Sequence, residues 1–140
     1  MAEREVEPLL RTSYFRVLIG DRELGFAEVT RLTSKTDRQQ PGEKHEFESV
    51  VLRRALGRST ELYEWRRRIA EGIGDRRDVT IHQLVSPDGE IANSWTLVDA
   101  WPCRWSGPAF DARTSDVAME ELELAFADLV WHEQTRKKGG

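Results

Sequence analysis

Cysteine is nearly absent from this chain. Cys103 stands alone among 140 residues, which excludes an intramolecular disulfide and a cysteine-rich zinc site and fits synthesis in a reducing compartment. Long apolar runs are missing too, and nothing approaches the ~20 residues that a membrane-spanning helix needs. The opening MAEREVEPLL is charged where a secretory signal would carry an apolar stretch. There is no basic excess: 21 Lys and Arg face 25 Asp and Glu, a net charge of -4, so sequence-specific nucleic-acid binding is not expected. Lysine is scarce, and almost all of the positive charge is arginine. Guanidinium groups pair with carboxylates bidentately and tolerate desolvation better than ammonium groups, which suits protein–protein contacts.

Catalytic signatures are also lacking. The chain carries no P-loop, no dinucleotide glycine pattern and no HExxH. His45, His82 and His132 lie too far apart to share a metal-ligand spacing, and His82 alternates with Ile81 as a strand-face residue. Cys103 has no nucleophile signature around it. The acidic cluster of Glu120, Glu121 and Glu123 could do acid–base work, but nothing in the sequence supplies it with a pocket. The expectation is a protein with no catalytic, cofactor-binding or metal site.

At 16.2 kDa the chain is one domain, able to bury roughly 70% of its unfolded surface without covalent staples. Residues 1 to 12 lack periodicity and read as an arm. Tyr14 to Ile19 (YFRVLI) has the aromatic and β-branched content of a strand. Gly20 to Gly25 is expected to connect a hairpin, with Phe26 to Leu32 as its return strand. Thr33 to Lys44 reads as a polar loop and Phe47 to Arg53 as another strand. The period then changes. Ser59 or Thr60 caps a helix with Leu62, Trp65 and Ile69 on its apolar face, Arg66 to Arg68 on the remainder, and Gly72 and Gly74 as the stop. Val79 to Val85, the turn SPDG, and Ile91 to Trp101 read as a second hairpin, followed by a bent edge or corner at AWPCRWSGP, where proline cannot donate to a ladder. Ser115 to Val130 is ambiguous: propensity favours a helix, whereas Glu121-Leu122-Glu123-Leu124 alternates as a strand does. Residues 132 to 140 are expected to form a flexible basic tail.

Read together, four blocks resemble the tail-tube protein family of contractile phages and phage-like contractile injection systems. They are FRVLIGDRELGFAEV, LRRALGRSTELYEW, RRDVTIHQLVSPDGEIANSWTLVDAWPCRW and SDVAMEELELAF, in the family's order. The resemblance implies a mainly β, sandwich- or barrel-like domain over residues 13 to 131 with one flanking helix at about residues 60 to 71. It makes the last element a strand. It also implies a structural subunit of hexameric rings, stacked into the inner tube of a particle assembled in the bacterial cytoplasm. The implied partners are further copies of itself, sheath and baseplate proteins, and a cargo or tape-measure protein in the lumen.

If Leu122, Leu124 and Phe126 face the core, alternation turns Glu121 and Glu123 outward, toward an expected acidic lumen. The loop bearing Lys35, Asp37, Arg38, Glu43 and Lys44 is expected to touch the adjacent ring. That loop is shorter than the family's usual excursion, which leaves a baseplate-proximal initiator ring open beside the main tube. A monomeric adaptor with the same fold is the remaining alternative.

Overall fold

The computed structural model describes residues 9–36, 42 and 46–133. Ten strands and one helix follow in the order β1 (Phe15–Ile19), β2 (Arg22–Leu24), β3 (Glu28–Val29), β4 (Ser34–Lys35), β5 (Glu46–Phe47), β6 (Val50–Ala55), α1 (Glu61–Ala70), β7 (Arg77–Leu84), β8 (Ile91–Ser106), β9 (Met119–Ala125) and β10 (Asp128–His132). All pairings are antiparallel. The main path runs β2-β1-β7-β8-β9-β6-β3, β10 adds to β8, and β4 pairs β5 separately.

The long strand β8 organises the molecule. Its first half lies between β7 and β10, with Leu97 opposite both Val79 and Leu129; its second half pairs β9, with Trp105 opposite Leu122. It therefore belongs to two sheets and turns the corner between them. The corner has local causes. Asp99 adopts a positive φ of 51°, held by its N–H donating to Asp78 Oδ1 at 3.0 Å. Pro102 then removes one ladder donor, and the register slips between Pro102 and Arg104. The facing chain breaks as well, between β9 and β10, where Ala127 N–H reaches back to Val98 O at 2.8 Å.

Alternation places Val17, Ile19, Val79, Ile81 and Leu97 of the first sheet against Val50, Leu52, Leu122 and Leu124 of the second in one buried cluster. Helix α1 adds Leu62 and Trp65 to it. Trp65 buries its ring while its N–H donates to Asp75 O at 2.7 Å, and Arg77 stacks over the ring at 4.7 Å. The helix ends in a Schellman arrangement. Gly72, at φ 83°, donates to Ile69 O, and Ile73 donates to Arg68 O. The arginine triplet divides three ways: Arg66 donates to the carbonyl of Pro102, while Arg67 pairs with Glu71 and Arg68 with Asp75 at the surface.

The mainly β architecture with one helix matches the expectation, and the strand reading of 119–125 overrides helix propensity because Leu122 and Leu124 fill the core between two neighbouring strands. Three local expectations need correction. The first hairpin turns at Gly20-Asp21, and its return strand is Arg22–Leu24. Glu28–Val29, expected as that return strand, pairs β6. The strand expected from Phe47 to Arg53 is two strands, β5 and β6. Of the bent edge or corner expected at AWPCRWSGP the structure has the corner: β8 continues through it because β9 supplies a partner.

Candidate functional site

Three features carry side-chain chemistry. The first is the outer face of the second sheet. Glu121 and Glu123 sit on β9 out of phase with buried Leu122 and Leu124, as alternation predicts. Arg53 on β6 pairs with Glu121 at 3.2 Å and reaches Glu28 at 3.9 Å, and Arg104 on β8 pairs with Glu123 at 3.8 Å. Ser49 also donates to Glu123 at 2.9 Å. The expected acidic wall is thus a compensated one, with three carboxylates interleaved with two guanidinium groups. The signal missing from the sequence was strand pairing, which decides that arginines lie beside these glutamates.

The second surface is the outer face of the first sheet. Arg16, His82, Ser94 and His132 form one row across β1, β7, β8 and β10. His82 Nδ1 and Ser94 Oγ are 2.6 Å apart, His132 Nε2 and Thr96 Oγ1 2.8 Å, and Thr96 continues to Thr80 at 3.2 Å. Burial, reinforced by the Arg16 charge, holds His82 below the ordinary imidazole value of 6.5. His82 is a sheet-face residue, as its alternation indicates. Strand pairing brings two histidines distant in sequence into one row. Among the described residues no group of three His, Cys, Asp or Glu side chains is placed to hold a metal ion.

The third feature lies inside. Glu120 is in phase with Leu122 and Leu124 and is only 1% exposed. Arg54 Nε donates to its Oε2 at 2.9 Å and Trp105 Nε1 to its Oε1 at 2.9 Å. Arg54 continues to Glu61 at 3.4 Å, and Glu61 to Arg22 at 3.2 Å. This chain of charges ties β9, β6, α1 and β2 together. The sequence held one unread sign of it: a glutamate placed at the core phase of an alternating strand must have a partner.

Lys35 lies in β4 with its ammonium 4.0 Å from Glu48. Asp37, Arg38, Glu43 and Lys44 lie outside the described residues. Cys103 is half-buried beside Glu123, and burial, with that carboxylate, pushes its thiol above the ordinary 9.0.

Residues 11–130 match the family described as T4-like virus tail tube protein gp19. The chain belongs to that family. It is a tail-tube structural protein, as the four sequence blocks suggested. Solved structures carry the same fold. In the sheath/tube terminator of the extracellular contractile injection system PVC, in its extended state, a chain is similar at TM-score 0.75 and 22% identity, over 91% of this chain and 99% of that one. The cap of the anti-feeding prophage (AFP) contains one at TM-score 0.73 and 18% identity, covering 95% and 97%. Hcp1 from Flavobacterium johnsoniae follows at TM-score 0.62 and 14% identity, covering 84% and 94%. No curated protein sequence gives a significant match. No described helix of this tail-tube protein is long and apolar enough to cross a membrane.

Proposed function

We propose that the chain closes into hexameric rings that stack into the rigid inner tube of a contractile particle, leaving a conduit for cargo or DNA. The observation that carries this reading is the tail-tube family match from residue 11 to residue 130. Open strand edges support it. Within the described residues β2, β3 and β10 are each paired on one side only, and joining edges between copies into a closed barrel removes surfaces that would otherwise aggregate. A heterologous contact closes into a ring when its rotation divides a full turn.

In this reading the chain works by shape and neighbours, with sheath and baseplate proteins outside, a tape-measure or cargo protein inside, and no bond-making chemistry. The face bearing Glu121 and Glu123 lines the lumen. Its interleaved arginines leave a slight acidic excess, which lets a polyanion pass without sticking. Size-exclusion chromatography with light scattering, followed by negative-stain imaging, tests the assembly. A particle of six times the 16.2 kDa chain, alone or stacked, is expected; a monomer under every condition, with and without sheath and baseplate partners, overturns the reading and leaves the adaptor alternative.

A second reading, a ring at one end of the tube, draws on the similar chains found in the PVC sheath/tube terminator and in the AFP baseplate. Rings that never extend beyond a short stack would favour it.

A further inference from the structure

Two apolar surfaces of this chain lie on different elements. The loop that joins Ser106 to Met119 presents Phe110, 88% exposed, and Val117, 71% exposed. A single exposed aromatic would be unremarkable, but the turn beneath this one is fixed. Asp111 accepts from the Arg113 N–H at 3.0 Å and from its guanidinium at 3.0 and 3.2 Å, and Thr114 N–H donates to Asp111 O. The backbone that follows Phe110 is thus tied locally, which lowers the ordering left to do on binding.

Elsewhere the interior opens. A groove of about 570 Å³ runs between the start of β1 and the segment around β3, lined by Phe15, Val29, Leu32, Ile81 and Trp95, with Thr12 on its lip. That volume is in the range that accepts a compact apolar group. Phe110 is exposed and does not line the groove of its own chain.

Resting on the tube reading above, we propose that Phe110 of one copy seats in the Phe15–Val29–Ile81–Trp95 groove of a copy in the next ring, so that this pair is the axial contact of the stack. Knob and groove are different parts of one chain, so the contact is heterologous, the kind that runs on from copy to copy along an open stack when its rotation does not close a ring. Charge favours the same occupant. Arg31 on the groove and Asp116 in the loop are both exposed, and neither has an ion-pair partner among the described residues. The chain's own Leu9 and Leu10 are exposed and do not line the groove.

The test uses the full-length protein. Phe110→Ser should melt as the wild type does, because the side chain touches little of its own subunit. It should close rings yet need at least about tenfold more protein to stack them, the loss expected for a central aromatic anchor. Stacking at the wild-type concentration overturns the proposal, as does failure to close rings, which would place Phe110 at the lateral contact. As a second readout, Thr12→Cys with Phe110→Cys on a Cys103→Ser background should give, on oxidation, a covalent ladder extending past the dimer. A product that stops at dimer means reciprocal pairing and overturns the axial contact, as does the absence of any cross-link. The ladder reads the contact independently of ring closure: if the wild type forms no rings and the ladder still appears, the knob-and-groove contact stands while the hexameric reading falls.

Discussion

Glu120→Gln isolates the energetics of the one fully enclosed charge among the described residues. The substitution keeps the volume and leaves an oxygen for Trp105 Nε1, but it faces Arg54 with a neutral amide where a carboxylate stood at 2.9 Å. Removing one partner of a buried ion pair costs about 3–5 kcal/mol, because the other charge stays desolvated. Arg54 is not fully stranded: its side chain is 14% exposed and Glu61 remains at 3.4 Å. The expected loss is therefore at the lower end, about 3 kcal/mol, out of the roughly 5–15 kcal/mol that holds an ordinary domain. Arg54→Met should cost more, toward 5 kcal/mol, since it strands a carboxylate that has almost no solvent.

Urea unfolding of the unassembled subunit, followed by far-ultraviolet circular dichroism, measures both losses. The double variant completes a cycle in which removal of both charges should cost less than the two single losses combined, by about 2 kcal/mol or more. Melting should fall by roughly 10 °C in Glu120→Gln, at about 3–4 °C per kcal/mol for a chain of this size. Single losses below about 1 kcal/mol, with no coupling in the cycle, would show that the geometry at 2.9 Å carries little energy and would refute the reasoning.

Two further outcomes follow from the perturbed groups. His82 should titrate below 6.5 in a two-dimensional NMR experiment, because burial and the Arg16 charge disfavour its imidazolium; an unshifted value would mean the ring is open to water. Its folded value lies below the unfolded one, so the unfolded chain takes the proton first. Stability is then complete above about pH 6.5 and declines as pH falls through that value, a slope that His82→Gln should flatten. Cys103 should react with a thiol reagent more slowly in the folded subunit than in urea at pH 8, since its thiolate is disfavoured by burial and by Glu123; equal rates would contradict the half-buried placement.

How much of this molecule was legible in its sequence depended on whether the deciding interaction was local. The helix at Glu61–Ala70 was readable because its apolar spacing and Gly72 lie within one short segment, although Thr60 stands at the N-cap without a side-chain capping bond. The turn at Gly20-Asp21 was placed too wide, because both glycines of GDRELG permit a turn and only the pairing of Leu24 with Val17 selects the tighter one. Phe26 to Leu32 carried a good strand composition but pairs β6, which lies beyond a polar loop, so no local signal could assign its partner.

The same limit explains the glutamates of β9, where the candidate surface and the buried network meet. Glu120, Glu121 and Glu123 are one residue type within four positions, and they have three different surroundings. Alternation alone separates Glu120 from the other two, because only Glu120 shares the phase of Leu122 and Leu124. It could not say that Arg54 on β6 and Trp105 on β8 would arrive from both sides to receive that carboxylate. Nor could it say that Arg53, one residue away and on the opposite face, would partner Glu121. A strand fixes which way a side chain points; its neighbours across the sheet fix what that side chain becomes, and here they make one glutamate a buried tie and the next a candidate wall of a tube.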